Sequence, residues 1–259
     1  MNKINFYSVI IGTELLNGRR KDAHFSFLNS ELLKRDLEHK ASFVIEDDPK
    51  LMQEVFNLVK KDKNSIMFCF GGIGSTPDDY TRQVAAKAFT KGKMVFHKKA
   101  KQNIIKEFQS EAFPHRINMA YLPKGAKLLK NVVNNVSGFY LKNRFFFTPG
   151  FPSMSQAMVL EALKILDIKA KSKYRKTITI VASENDLISI MKQVPKSISF
   201  SSLPKILDEK RVVVISLAGY KKEKIDKYFK LFVDFCIKNS LEYELEDIFN
   251  KWGKYVAKI

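Results

Sequence analysis

The residues best suited to chemistry lie between Gly71 and Thr81, in the stretch Gly-Gly-Ile-Gly-Ser-Thr-Pro-Asp-Asp-Tyr-Thr. They follow Ser65 to Phe70, an apolar run typical of a buried parallel strand, and precede a segment that favours a helix. Glycines let backbone N–H groups approach an anion, and a helix N-terminus adds partial positive charge. This layout predicts a phosphate site at the carboxyl end of a sheet, although a simple glycine turn is the alternative. The candidate phosphate-binding residues here are Gly71, Gly72, Gly74, Ser75, Thr76 and Thr81.

Two acids in this stretch make it unlike the common phosphate loops. The Walker-type pattern needs a lysine that is absent here, and the dinucleotide-binding pattern fails at Pro77. Asp78 and Asp79 would repel a phosphate unless a metal ion or a proton intervenes. We therefore expect a divalent cation such as Mg²⁺, with Asp79 facing the ligand and Asp78 available to cap the following helix.

A second glycine-bearing loop follows the first predicted strand, Ile4 to Ile11. The strand predicted at Ala41 to Ile45 precedes Asp47, and Asp48 with Pro49 is a typical helix start. Strand and helix thus alternate three times in about the first ninety residues, which predicts a parallel sheet covered on both faces. The loops after such strands gather at one edge. The further ligand-binding candidates at that edge are Gly12, Thr13, Glu14 and Asp47.

Composition limits the class of protein and its partners. The chain has 259 residues, enough for one large or two smaller domains, and no apolar stretch long enough to span a membrane or to act as a signal peptide. Two cysteines, both in apolar runs, favour a reducing cytoplasmic setting over a disulfide framework. The net charge is +18, but only eight of the 45 basic residues are arginine. Scattered lysines favour compositional bias over a nucleic-acid surface and are compatible with an anionic small ligand.

The later pattern predicts the end of one domain and the start of another. A helix is predicted over Lys98 to Phe113, an irregular segment follows, and a hairpin turns at Lys142-Asn143. Ser153 is a candidate cap for a helix to about Leu166, and a polar linker is expected from Asp167 to Lys176. Strands over 177–182, 198–203 and 211–217, with helices over 184–193 and 221–238 and a last short element over 241–248, predict a small α+β domain. The domains are therefore placed at residues 1–168 and 173–259.

Residues 4 to about 166 resemble the molybdopterin-binding domain shared by molybdenum-cofactor biosynthesis proteins and the N-terminal part of competence/damage-inducible protein A. The resemblance lies in four motifs in the family's order: Gly12 to Gly18, Gly71 to Thr81, Pro123 to Ala126, and Gly150 to Pro152. It implies a three-layer α/β/α fold with a mostly parallel sheet. The second region more weakly resembles the small α+β domain that follows in competence/damage-inducible protein A, and the deamidase domain of that protein is expected to be absent.

The resemblance also implies a ligand and a chemistry. By motif position, Asp47 and Asp79 match the two aspartates that act at the phosphate-bearing pterin in molybdenum-insertion relatives, where both would hold a divalent cation. The competence-protein branch is associated with metal-dependent hydrolysis of ADP-ribose-type pyrophosphates. Two functions follow as expectations: such a hydrolase, or a pterin- or nucleotide-binding module without turnover. Relatives often form dimers or trimers, so a homo-oligomer is a further expectation.

The sequence departs from the family pattern at two places. The loop after Gly18 carries Asp22-Ala23-His24 where much of the family has Asn-x-Asn, and Ser137-Gly138-Phe139 replaces Pro-Gly-Phe. No partner for His24 can be named from the sequence. RNA binding by the second region is disfavoured because no G-x-x-G clamp occurs there. Since some eukaryotic FAD synthases carry the same domain type, the ligand class extends to dinucleotides.

Overall fold

The computed structural model describes residues 4–168 and 171–251. The chain divides into two compact units, residues 1–170 and 171–259. Residues 1–3 and 252–259 of the domains predicted from the sequence lie outside the described residues, as do residues 169 and 170 of the predicted linker. Each unit is therefore described by itself.

The first unit is built on a six-stranded sheet with the order β2-β1-β3-β8-β7-β6. Its strands are β1 (Asn5–Ile11), β2 (His39–Ile45), β3 (Ser65–Phe70), β6 (Lys127–Leu129), β7 (Gly138–Leu141) and β8 (Phe145–Thr148), while β4 (Met94–Phe96) and β5 (Tyr121–Pro123) form a separate pair. The first four strands of the sheet, β2, β1, β3 and β8, run parallel, and β7 joins antiparallel. The carboxyl ends of four strands therefore meet at one edge of the sheet.

Helices cover both faces of this sheet. They are α1 (Thr13–Leu16), α2 (His24–Leu33), α3 (Pro49–Lys61), α4 (Thr81–Thr90), α5 (Lys98–Phe108) and α6 (Pro152–Leu166), with 3-10 turns at Gln109–Ala112 and Arg116–Ala120. Successive strand residues point to opposite faces, so Val9 and Met67 pack with α3 and α4 while Ile10 and Phe68 pack with α2 and α6. This arrangement confirms the predicted three-layer α/β/α fold.

Of the predicted ends of α3, α5 and α6, one follows the sequence and two differ. Asp48 caps α3 and its carboxylate accepts from the N–H groups of Lys50 and Leu51, as predicted. The prediction that Ser153 caps α6 is wrong, because Pro152 takes the first helical position, which its fixed φ suits. Helix α5 ends at Phe108 rather than at Phe113, since Gln109 has a φ of 49° and a 3-10 turn follows.

The hairpin between β7 and β8 turns at the predicted pair, Lys142 and Asn143, both with positive φ. The segment predicted to be irregular instead contains a 3-10 turn and the three-residue strands β5 and β6. Strands this short show no periodicity in the sequence. They form because β5 pairs with β4 and β6 pairs with β7.

The second unit is a small α+β fold, as predicted. Its elements are β9 (Tyr174–Ile180), α7 (Glu184–Met191), β10 (Ser199–Leu207), β11 (Lys210–Gly219), α8 (Lys222–Lys238), β12 (Tyr243–Glu244) and α9 (Ile248–Lys251). The sheet is antiparallel with the order β10-β11-β9-β12, and α8 buries Phe229 and Phe232 against it. The predicted linker is too long, because Tyr174 to Lys176 pair with β11 as part of β9. Within the described ranges, no helix is long and apolar enough to cross a membrane.

Candidate functional site

The loops that follow β1, β2, β3 and β8 touch one another at the carboxyl edge of the sheet. The Gly12 N–H donates to the Ile45 carbonyl oxygen, and the Gly71 N–H donates to that of Thr148, both at 3.0 Å. Gly71 has a φ of +99°, and a Cβ placed on it would lie 2.3 Å from the Ile11 carbonyl oxygen. Glycine is thus required where the loop after β3 passes over the end of β1.

Asp47 is held by Thr13 across two loops. The Thr13 N–H and hydroxyl both donate to Asp47 Oδ2, at 2.8 and 2.9 Å. In return, the Asp47 N–H donates to the Thr13 hydroxyl oxygen at 3.2 Å. The described residues make no hydrogen bond to Asp47 Oδ1, so one carboxylate oxygen is fixed and the other is open.

Asp79 is held in the same manner by Thr76. The Thr76 N–H and hydroxyl donate to Asp79 Oδ2 at 2.8 and 2.5 Å, and a Cβ on Gly74 would lie only 2.6 Å from that oxygen. No group in the described part of the chain donates to Asp79 Oδ1. The expectation that Asp78 caps the next helix is wrong, because Tyr80 occupies the cap position of α4 and no side chain caps it.

A run of backbone N–H groups in the glycine loop has no acceptor. Across residues 4–168 and 171–251, no hydrogen bond is donated by the amides of Gly72, Ile73, Gly74 or Ser75. Successive unpaired amides of this kind form a typical binding place for an anion. The chain geometry therefore supplies N–H donors beside the oriented carboxylate of Asp79.

Thr81 lies at the base of this loop rather than at its surface. Its hydroxyl donates to the Gly71 carbonyl oxygen at 3.0 Å, and its N–H donates to the Gly72 carbonyl oxygen. The Thr81 side chain is fully buried. A Cβ on Gly72 would lie 2.3 Å from the Thr81 hydroxyl. The geometry gives Thr81 a bracing role in the loop, and its contact with a ligand stays a prediction.

Glu14 faces a basic residue that the sequence reasoning did not identify. Arg20 lies 3.5 Å from the Glu14 carboxylate and donates to the Gly150 carbonyl oxygen at 2.8 Å. The Arg20 guanidinium also lies over the Phe151 ring, 5.5 Å from its centroid. Arg20 thereby connects the loop after β1 to the loop after β8.

His24, which had no partner in the sequence reasoning, begins α2 and is buried against α6. Its Nε2 lies 3.3 Å from the Gly150 carbonyl oxygen, its Nδ1 lies 3.1 Å from the Ser155 hydroxyl, and its ring stacks on Phe70. Burial lowers the pKa of His24, so the neutral form is favoured. The neutral ring then donates to Gly150 and accepts from Ser155. The role of His24 is to fasten the loop after β8.

The two predicted acids do not lie in one contact cluster. No hydrogen bond joins Asp47 to Asp79 in the part of the chain that the structure describes, and Asp79 lines a pocket whose described wall does not include Asp47. The described residues contain no group of three or more acidic, histidine or cysteine side chains that could hold a metal ion. The carboxylates of Asp47 and Asp79 suit Mg²⁺ in the way proteins commonly bind it. One or two carboxylates then coordinate the ion, and phosphates and water supply the remaining ligands.

The residues missed by the sequence reasoning are Arg20, Arg82, Asn118, Tyr121, Gly150 as an acceptor, and Ser155. Arg82 had a local signal, because it follows the signature loop directly. Arg20 likewise lies only two residues after the Gly12 to Gly18 motif, whereas the remaining residues come from elements far away in the sequence. Only the fold brings them to this edge.

Comparison with known proteins places this geometry in a family. Residues 8–167 match the family described as a probable molybdopterin binding domain. A CinA-like protein of Sulfurihydrogenibium sp. is 27% identical over 212 residues, which cover 77% of this chain and 52% of that protein. A CinA-like protein of Thermosipho melanesiensis is 28% identical over 229 residues, covering 85% of this chain and 56% of that protein. The chain thus spans about half the length of these relatives.

Structural comparison agrees on the fold. A crystal structure of the protein CinA, described as having unknown function, from Thermoplasma acidophilum matches with a TM-score of 0.58 at 23% identity. The match covers 63% of this chain and 99% of that chain. The matched family model covers more than half of the sequence, so the chain belongs to the molybdopterin-binding domain family, and it is similar to proteins described as CinA-like.

Proposed function

We propose that the first unit binds a phosphate-bearing nucleotide or pterin at the carboxyl edge of its sheet and hydrolyses ADP-ribose-type pyrophosphates with Mg²⁺. One observation carries the proposal: Asp47 and Asp79 are each fixed through Oδ2 by a threonine, and each leaves Oδ1 open. Ser183 holds Asp186 Oδ2 in the same way at the cap of α7, so this pattern alone does not mark a ligand site. At Asp47 and Asp79 the pattern lies at the carboxyl edge of the parallel sheet, and Asp79 has the unpaired amides of the glycine loop beside it, which is where a cation or a positioned water is needed.

The backbone amides, threonines and aspartates at this edge would each have a separate role. The unpaired amides from Gly72 to Ser75 would bind phosphoryl oxygens, as preorganised backbone donors do. Thr13 and Thr76 would hold the carboxylates of Asp47 and Asp79 in one orientation, which limits the reorganisation needed at the reaction. Asp79 could then accept a proton from, or orient, the attacking water.

A bound Mg²⁺ would be held by Asp79 and Asp47 together with phosphate oxygens, and it would supply Lewis-acid polarisation of the phosphoryl group. This assignment explains why acids lie beside an anion-binding loop. It requires the substrate phosphates to complete the set of metal ligands, since the described residues offer no larger acidic cluster.

A second function is favoured by that same lack of a three-residue metal cluster within the described ranges. The domain could bind a pterin or nucleotide linked to molybdenum-cofactor metabolism without turning it over. In that case, Asp47 and Asp79 would accept hydrogen bonds from the ligand rather than hold a cation.

The test is a hydrolysis assay with ADP-ribose and with FAD, in the presence of Mg²⁺ or of a chelator, with separation of the mononucleotide products. We expect AMP to form from ADP-ribose only with the metal. Asp79→Asn should lower the rate by about 10²-fold or more, the usual contribution of a general base. Glu54→Gln is the control, because Glu54 is an exposed acid on α3 outside the described pocket wall, and its rate should equal that of the wild type.

Two results would contradict the hydrolase. If Asp79→Asn retained wild-type turnover, the placement of the reaction at Asp79 would be wrong. If no nucleotide were cleaved while pterin or nucleotide binding was measurable, the binding module would be the function.

A further inference from the structure

Asp79 shares a pocket with a buried arginine. The pocket has a volume of about 300 Å³, near the lower end of the range for small-molecule sites. Its wall includes Thr76 and Asp79 from the glycine loop, Arg82 from α4, Met94 from β4, Asn118 from the 3-10 turn and Tyr121 from β5. We call it the Arg82 pocket.

Arg82 carries a positive charge that the described residues leave unpaired. The residue is only 5% exposed, its Nη1 donates to the Asn118 carbonyl oxygen at 2.6 Å, and its Nε–H has no acceptor. Within residues 4–168 and 171–251, it makes no ion pair. Burial lowers the pKa of Arg82 and the nearby charge of Asp79 opposes that shift, yet a guanidinium stays charged in either case.

An unpaired buried charge is costly, and so is a buried donor without an acceptor. The Asn118 carbonyl satisfies one N–H group and neutralises no charge. Asp79 acts on Arg82 through its charge, but the two side chains form no ion pair among the described residues. The pocket therefore lacks one component, an anion with oxygen acceptors, and a guanidinium suits the oxygens of a phosphoryl group.

We propose that the Arg82 pocket is the subsite for a phosphoryl group of a diphosphate-containing ligand, with Arg82 as the residue that binds it. Asp79 and Arg82 then lie on either side of the same phosphoryl group. Asp79 is suited to the metal ion that accompanies this group, and Arg82 is suited to its oxygens. Tyr80, Tyr121 and Met94 give the pocket apolar wall for the adjoining part of the ligand. The choice of a diphosphate as the ligand rests on the proposed function. Recognition of a phosphoryl group by Arg82 does not require that the protein hydrolyse it.

The first experiment titrates inorganic pyrophosphate, with and without Mg²⁺, into the full chain by isothermal calorimetry. Arg82→Met should weaken binding by about tenfold or more, the effect of losing a hydrogen bond to a charged group. Arg82→Lys, which keeps the charge but loses the planar fork, should fall between Arg82→Met and the wild type. Arg116→Met is the matched control: Arg116 is paired with Glu111 and does not line the described pocket, so pyrophosphate affinity should not change.

A second measurement in the wild-type chain covers the case in which Arg82 variants fail to fold. The Nε–H proton of Arg82 is buried, so its NMR signal should be protected from exchange, and we expect it to shift on addition of pyrophosphate but not of adenosine. The inference is overturned if the wild type does not bind pyrophosphate, or if this signal does not respond. It is also overturned if folded Arg82→Met binds as tightly as the wild type, or if Arg116→Met loses as much affinity.

These outcomes are distinguishable from failure of the proposed function. A chain that never cleaves ADP-ribose but binds pyrophosphate through Arg82 supports the subsite and contradicts the hydrolase. A chain that cleaves ADP-ribose through Asp79 but binds pyrophosphate equally well without Arg82 supports the hydrolase and overturns the subsite.

Discussion

Gly71→Ala is the change whose effect the structure determines most closely. Gly71 has a φ of +99°, and a Cβ there would lie 2.3 Å from the backbone carbonyl oxygen of Ile11, which belongs to a central strand and cannot move aside cheaply. A strained backbone conformation costs about 1–3 kcal/mol, and forced overlap in a packed region costs about 1–3 kcal/mol more. We expect a loss of about 2–6 kcal/mol in the free energy of opening of the first unit.

Gly18→Ala is the matched control for this change. Gly18 also has a positive φ, +78°, but nothing lies within 4 Å of a Cβ placed there. The Gly18→Ala variant should therefore lose only the backbone contribution, about 1–3 kcal/mol. The difference between the two variants isolates the overlap with Ile11.

The assay is native-state hydrogen exchange of peptides from β1 and β3 in the full chain. Exchange at these strands reports the first unit alone, whereas a single unfolding free energy is not well defined for a chain of two units. If Gly71→Ala and Gly18→Ala lowered protection by the same amount, the claim that the loop after β3 must pass this close to β1 would be wrong.

Three further predictions concern the same chain. Burial lowers the pKa of His24 and of His39, so the unfolded chain takes up these protons more readily, and stability of the first unit should be fully present above about pH 6.5 and decline below it. His24→Gln should make this decline smaller, as measured by hydrogen exchange of β1 peptides from pH 7 to 5. Burial also raises the pKa of Cys69, and that of Cys236 to about 11, so a thiol–disulfide reagent should label both rapidly only after denaturation. Phe147→Ala should cost about 3–5 kcal/mol in β3 protection, since its fully buried ring packs 4.6 Å from that of Phe139.

Local signals were enough to predict much of the fold. The apolar run of β3, the Asp48-Pro49 helix start and the Lys142-Asn143 turn each depend on neighbouring residues, and each is confirmed. The position of β8 beside β3 is different, because that pairing joins residues about 80 apart in the sequence. No local pattern reports it.

The wrong helix ends have physical causes that compete with propensity. Ser153 is a good cap by residue type, but Pro152 already suits the first turn, so the helix begins one residue earlier. The helix predicted to Phe113 ends at Phe108, because Gln109 takes a positive φ that interrupts the helix and a 3-10 turn follows. Tyr174 to Lys176 are polar enough for a linker, yet pairing with β11 makes them a strand.

At the candidate site, the sequence indicated the right loops but not how they are held. The Thr76–Asp79 hydrogen bonds span three residues and follow a local pattern that residue types can suggest. The Thr13–Asp47 bonds span 34 residues and exist only because β1 and β2 are neighbours. The partners of His24 and Arg82 likewise come from distant elements, so their roles depend on the tertiary structure.

The most direct test of the central claim is a crystal structure of the chain with Mn²⁺ and an ADP-ribose analogue that resists hydrolysis. Manganese replaces magnesium and can be located by its anomalous signal. We expect a manganese peak bound by Asp79 Oδ1 and a phosphoryl group within hydrogen-bond distance of the amides from Gly72 to Ser75. A metal peak elsewhere, or a diphosphate bound away from this loop, would contradict it.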